Sequence, residues 1–374
     1  MWSKIARYTL YTFVWILIAG YVIYSANLSR AIRQSQTIER IDIVILDSAM
    51  HGNLITTPMV RGWISGSSIK IIGQPLKDLP LGEIESRILK NGFVDQARIY
   101  PTRSGALKVE LTQRHAALRL LMDGYNGYTT REGYIFEAPS YASIYLPIVT
   151  GGYRPPFPPS YRGNIDDFVK AQKKIFEERR QEIEREKYPL YEQEMENMED
   201  IRELRRMFIK KGWFESDEKF DKKVVELRAK KAKLRKLYQY RSRVIADKIA
   251  QISAKQSRLD LEEKKLQKRC VDFMNLINFV HIVENDKFWS SEVVQIVASE
   301  SHSGSLRVDL VVRSGDFKVE FGSLKSASQL QKGEEGVEEK LEKLMAFYEN
   351  GLRRVGWNRY QTINVEYKNQ VVCK

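Results

Sequence analysis

A chain of 374 residues with 43% hydrophobic residues is long enough for two or three domains and too apolar to be disordered by default. Its net charge of +13 and pI near 9.4 point to nucleic acid, anionic lipid or acidic partners without choosing among them. Two cysteines, Cys270 and Cys373, exclude a disulfide framework, although one bridge between them stays open.

Residues 8–29 contain no charge, and their centre reads Phe13-Val14-Trp15-Ile16-Leu17-Ile18-Ala19. About 20 apolar residues is what a helix needs to cross a bilayer core. Tyr8, Tyr11, Tyr21 and Tyr24 lie toward its ends, where amphipathic rings favour the headgroups. A cleaved signal peptide would carry a shorter apolar stretch and a small-x-small site, which Tyr24-Ser25-Ala26-Asn27 does not supply. A retained transmembrane helix over 8–29 is therefore expected. Lys4 and Arg7 before it oppose Arg30, Arg33 and Arg40 after it, so local charge does not fix the orientation. The simplest arrangement leaves 1–7 as a cytoplasmic tail and everything after Ser29 outside.

Residues 38–114 read as a small α+β domain of order β-α-α-β-β. Ile41-Asp42-Ile43-Val44-Ile45-Leu46 is a β-branched strand, and Thr57-Pro58-Met59 opens a helix with proline at a permitted first-turn position. Leu81, Ile84 and Ile88 mark one face of a second helix, and Asn91-Gly92 is expected to form its left-handed cap. Val94–Tyr100 and Leu107–Leu111 then flank the turn 101–105 as a hairpin. Residues 115–160 read as short strands, with turns at Tyr125-Asn126-Gly127-Tyr128 and Arg131-Glu132-Gly133-Tyr134. Pro147 places the run Leu146–Gly151 at a sheet edge or a strand start. The proline-rich segment 153–159 reads as a stiff boundary without a core of its own.

Residues 161–269 change character. Between Lys170 and Lys268 stand 29 basic and 20 acidic residues, so +9 of the chain's +13 is local. Val224, Lys231, Tyr238, Ile245, Ile252, Leu259 and Leu266 are spaced by seven, which predicts a long helix with a coiled-coil seam. Leu227 and Leu234 supply a second row. With a turn at Gly212–Ser216 and a helix start at Ser216-Asp217-Glu218, the segment reads as an antiparallel helical hairpin, in which Pro189 is expected to kink or interrupt the first arm. Basic residues with Tyr238 and Tyr240 among them, over 222–243, would suggest nucleic acid in isolation. An extracytoplasmic position favours anionic headgroups, an acidic partner or a plain solvated face. Residues 270–374 return to globular patterning. A helix passes through Phe273, Leu276, Ile277 and Val280, followed by strands near 293–298, 306–312 and 317–321. A helix over 337–355 precedes terminal strands at 362–367 and 371–373.

This order resembles the FtsQ/DivIB family of bacterial cell-division proteins. Asn91-Gly92-Phe93-Val94-Asp95-Gln96-Ala97-Arg98-Ile99-Tyr100 is similar to the end of that family's second POTRA helix and the start of its hairpin. Val109-Glu110-Leu111-Thr112-Gln113-Arg114 is similar to the strand that leaves the POTRA domain. Glu132-Gly133-Tyr134-Ile135-Phe136, Leu146-Pro147-Ile148-Val149-Thr150-Gly151, Lys340–Leu344 and Thr362–Tyr367 fit the same scheme in order. The resemblance implies an α+β chain: a single transmembrane helix, a POTRA domain over 38–114, and a β domain formed by 115–160 and 270–374. The hairpin 161–269 is inserted into that domain and departs from the family pattern.

No catalytic constellation stands out. His51, His115, His281 and His302 are scattered without metal-ligand spacing, and no phosphate loop or nucleophile elbow occurs. The expectation is therefore no enzyme, no cofactor and no metal. The resemblance implies a septal inner-membrane scaffold whose bulk is periplasmic. Its C-terminal edge, through Ile363, Asn364, Val365, Glu366, Tyr367, Val371 and Val372, would dock the coiled-coil proteins FtsB and FtsL. Its POTRA domain would contact other division proteins such as FtsK. Alternation places Ile363, Val365 and Tyr367 on one face and Asn364 and Glu366 on the other. A POTRA-containing secretion or assembly component, or a membrane-anchored cell-wall enzyme, are the competing readings.

Overall fold

The structure, a computed structural model, describes residues 13–27, 37–47, 54–66, 70–102, 104–122, 124–138, 144–325 and 334–374. They form two compact units. One comprises the chain up to Arg154 with Pro158–Asn164 and Leu276–Lys374, and the other comprises Pro155–Phe157 and Ile165–Asn275.

In the first unit a helix runs over residues 13–27 (α1). Among the described residues no helix is long and apolar enough to cross a membrane, and the span 8–29 extends past the described part of α1 at both ends. Next come β1 (Arg40–Ile45), α2 (Thr57–Ser65), α3 (Leu81–Leu89), β2 (Val94–Pro101) and β3 (Ala106–Gln113), the β-α-α-β-β order read from the sequence. The strands lie as β1-β3-β2, with β1 parallel and β2 antiparallel to the central β3. Alternation in β3 buries Leu107, Val109 and Leu111 against Val60 and Ile64 of α2 and Ile84 and Ile88 of α3.

Gly92 does not form a left-handed cap, because it is absent from the positive-φ positions. The Asn91 amide instead donates to the Ile88 and Arg87 carbonyls at 3.0 and 3.3 Å. A Cβ at Gly92 would lie 2.7 Å from the Cβ of Phe136, so the glycine permits close approach to the next sheet. Arg114 bolts the same junction. It donates to the Gly92 and Val94 carbonyls, pairs with Asp95 at 3.1 Å and stacks over the Tyr134 ring.

The second sheet has ten strands in the order β13-β12-β11-β10-β9-β7-β4-β5-β6-β8. They are β4 (Leu118–Met122), β5 (Tyr125–Thr129), β6 (Tyr134–Glu137), β7 (Ile148–Gly151), β8 (Gly163–Asn164), β9 (Val293–Glu300), β10 (Leu306–Val312), β11 (Lys318–Ser323), β12 (Thr362–Asn364) and β13 (Val372–Cys373). Asn126-Gly127 is not a turn. It lies inside β5, where a Cβ on Gly127 would meet the Tyr125 hydroxyl and the Phe136 carbonyl within 2.7 Å, and the left-handed turn residue is Gly124. Pro147 does start a strand, but β7 is interior, parallel to both β4 and β9. Nor is 153–159 a mere spacer: Tyr153 is buried in the first unit, and Phe157 packs edge-to-face on Phe168 and Phe273 in the second. Helix α7 (Val337–Phe347) passes through a π turn (Tyr348–Leu352) into Arg353–Val355 and buries Leu341, Leu344, Tyr348 and Leu352. A one-turn helix, α6 (Trp289–Glu292), precedes β9.

The second unit is built on α4 (Ile165–Arg206) and on residues 217–275 of α5 (Asp217–Asn285). Every member of the seven-spaced row on α5 is at least half-buried, and Val169, Phe176, Ile183, Leu190, Asn197 and Leu204 form the matching row on α4. Helix α5 does not stop near 269. Neither glycine nor proline interrupts it there, and the apolar period continues through Cys270 and Phe273. Pro189 is accommodated inside a continuous α4. Its neighbours are clamped to α5: the Lys187 ammonium donates to Gln256 at 2.6 Å, and Leu190 packs with Ile245 and Ile252. Asn197 donates to Ser242 Oγ at 2.8 Å and to the Tyr238 carbonyl at 3.1 Å, and Arg180 reaches Asp260 and Glu263. These polar groups within an apolar seam fix its register.

Candidate partner-docking edge

The terminal strands lie at one edge of the ten-stranded sheet. β11 pairs in parallel with β12 through Val319↔Ile363 and Glu320↔Asn364, and β12 pairs antiparallel with β13 through Ile363↔Cys373 and Asn364↔Val372. Thr362 and Lys374 exchange both main-chain bonds, at 3.1 and 3.0 Å. In an antiparallel ladder hydrogen-bonded and non-bonded pairs alternate, so Cys373 and Val371 turn their N–H and C=O groups away from β12. That outward row is the unpaired edge of the sheet.

Both strands are shorter than the sequence suggests. β12 ends at Asn364 because the Asn364 side chain accepts the Glu366 N–H at 2.9 Å, a local bond that replaces the ladder. Ile363 and Val365, named from the sequence as docking residues, are fully buried in the sheet, and the Val365 N–H still reaches the Glu320 carbonyl of β11. Tyr367 does not share their face: it lies beyond the strand and is half exposed. Asn364 and Glu366 are half-buried, Val371 is half-buried, and Val372 is exposed.

Side chains absent from the sequence-based set hold this edge in place. Glu366 folds back over β11 and takes a two-pronged hydrogen bond from Arg307 of β10, at 2.7 and 3.2 Å. Its path crosses Gly322, whose φ of +82° and missing Cβ leave the room. Gly322 sits where the β10–β11 register slips by one residue, a bulge that aims Phe321 onto Phe279. The Phe321 and Ser323 carbonyls receive the Lys340 ammonium at 3.0 and 3.3 Å. Burial pushes Lys340 down to about 8. Lys343 donates to the Tyr367 carbonyl at 2.6 Å and to Glu335, which accepts the Asn369 N–H at 2.8 Å. Burial favours the neutral Glu335, but bonds from Lys343 and Asn369 and the nearby lysines outweigh it and hold the carboxyl below its ordinary range. Asn369, with φ of +56°, completes the turn between the strands. Isolated Gly322 within a strand pattern was the one signal in the sequence that could have marked the bulge.

The outward N–H and C=O groups of Val371 and Cys373 are main-chain donors and acceptors at the sheet edge. Among the described residues no group of three or more His, Cys, Asp or Glu could hold a metal ion, and His51 lies outside them. His281 contacts Arg131 and Asn285, His115 pairs with Asp47, and Cys270 and Cys373 are free thiols.

A model of the family described as FtsQ/DivIB, C-terminal related, matches residues 225–374, and a model of the POTRA-like domain matches residues 36–112. The first match begins inside α5, so the second arm of the hairpin belongs to the matched region. No curated protein matches the chain. A POTRA-like domain followed by this C-terminal region makes the chain an FtsQ/DivIB-type protein.

Proposed function

We propose that the chain is a non-catalytic, single-pass scaffold of the division septum. Its bulk is extracytoplasmic, and it docks coiled-coil partners of the FtsB and FtsL type by strand addition along β13. The observation that carries this is the outward main-chain row at Val371 and Cys373, at the open end of a ten-stranded sheet. Tyr367 and Val372 flank that row as side-chain contacts, whereas Ile363 and Val365 serve it from the core. Anchorage at 8–29 is supported by α1, where Phe13, Trp15, Ile16, Leu17, Val22 and Ile23 are all exposed among the described residues: exposed apolar side chains of this kind suit a lipid solvent. The POTRA-like domain is the proposed contact for further division proteins such as FtsK.

The test uses the full chain in nanodiscs and the extracytoplasmic parts of FtsB and FtsL. Proline removes one outward N–H at Cys373 and leaves the bonds to β12 in place. Cys373→Pro should weaken binding by about tenfold, the loss of one main-chain bond plus local strain, while Cys373→Ser binds as the parent does. Equal binding by the proline variant at unchanged circular dichroism refutes the strand-edge site. Absence of binding by the parent chain removes the division role.

A further inference from the structure

We propose that the outer end of the helical hairpin is a docking surface for an anionic lipid bilayer. The connection between α4 and α5 reads Met207-Phe208-Ile209-Lys210-Lys211-Gly212-Trp213-Phe214-Glu215-Ser216. Trp213 is 97% exposed and Phe214 103%, so among the described residues these two rings have almost no packing, and Phe208, 71% exposed, has the Lys210 ammonium 5.5 Å from its ring centre. Aromatic rings beside lysines are what the headgroup boundary of a membrane selects.

Charge makes the same choice independently. Residues 202–243 contain 16 basic and 6 acidic side chains, a net +10, whereas the remainder of 170–268 is close to neutral. The hairpin's basicity is thus confined to the end that carries the exposed rings. Of the six acidic side chains there, Glu215 is half-buried and Glu203, Asp217, Glu218, Asp221 and Glu226 are exposed, outnumbered by the bases around them. Glu215 is held by Lys223 and the Gly212 N–H, which keep its carboxyl below the usual range, and Asp217 pairs with Lys211. An anionic surface therefore meets a segment of strong net positive charge. Protein partners bury aromatic anchors in pockets through complementary relief, but here the rings project singly from a connecting loop, the form that suits insertion into a fluid interface.

The full chain is reconstituted in vesicles containing nitroxide-labelled lipid, with an environment-sensitive fluorophore at Ser216→Cys in a Cys373→Ser background. Cys270 is buried, its thiol is pushed up to about 11, and it stays unlabelled. The label should be quenched far more than one at Glu194→Cys on the arm. Replacing anionic by neutral lipid should lower the quenched fraction by about tenfold, as should the triple variant Phe208→Ser/Trp213→Ser/Phe214→Ser. Quenching equal at both label positions, or unchanged in the triple variant, overturns the proposal. So does a signal that follows protein density instead of nitroxide content, which would assign the tip to a second copy. An unquenched label, combined with loss of division in the triple variant, would assign it to a protein partner.

Discussion

Gly322→Ala tests whether the bulge in β11 is what lets Glu366 hold the terminal edge. The added Cβ would lie 2.6 Å from Cδ and Cγ of Glu366, so the carboxylate must leave Arg307. A non-glycine residue at φ of +82° costs about 1–2 kcal/mol. Arg307 and Glu366 retain 35% and 24% of their side-chain exposure, so solvent screening limits their pair to about 0.5–1 kcal/mol. The sum is about 1.5–3 kcal/mol, read by urea denaturation, with faster hydrogen exchange concentrated in β11 and β12. Glu366→Ala alone removes only the pair and should cost about 0.5–1 kcal/mol. In the Gly322→Ala background that second substitution should then add nothing, because the pair is already gone. Additive costs would show that Glu366 keeps Arg307 despite the Cβ, and the proposed route over Gly322 would be wrong.

Between the lowered Lys340 value of about 8 and its ordinary 10.5, the unfolded chain binds the additional proton, so folded stability should rise with pH across that window. The gain is at most about 3 kcal/mol, and Lys340→Met should flatten the slope; a slope that survives the substitution refutes the assignment. Glu335 has the same sense in the acid range. Its carboxyl is held low in the folded protein, so its contribution is present above the ordinary carboxylate value and is lost on acidification. Exchange of the Asn369 amide should accelerate with that loss, and acid-independent exchange would count against it. Pro189→Ala restores a helical N–H in α4 and should stabilise the hairpin by about 1–3 kcal/mol, seen as a higher thermal midpoint of its helical signal. An unchanged midpoint would mean that the clamp around Lys187 and Leu190 already offsets the proline.

Long-range pattern was legible in the sequence where one period governed a whole element. The seven-residue row of α5, the alternation in β3 and the stripe of α3 each recur often enough to outweigh single exceptions, and the POTRA-like order followed from them. Local signals failed where tertiary contact decided. Asn126-Gly127 looks like a hairpin turn in isolation, but Tyr125 and Phe136 close over Gly127 and make it strand. Pro189 looks like a break, but neighbouring groups grip α5 on either side of it. The matching row on α4 escaped notice because Asn197, a polar residue, occupies one of its positions. At the candidate edge the strand residues were readable from β-branched alternation. Arg307, Lys340, Lys343 and Glu335 were not, since they reach the edge from β10, α7 and the residues before α7.

The shortness of the edge itself argues for a managed docking surface. A long bare strand would invite pairing with any extended chain, including another copy of itself. Here β13 offers a brief outward row, Asn364 closes the ladder by taking the Glu366 N–H, and the Lys343–Glu335 pair fixes the turn that follows. On the proposed strand addition few main-chain bonds are available, so side-chain contacts at Tyr367 and Val372 would have to add to them. The backbone would then supply a generic attachment, and the flanking residues would decide which strand is accepted. Lys340 and Lys343, anchored on carbonyls, stiffen the edge from behind and leave its outward main-chain groups unobstructed.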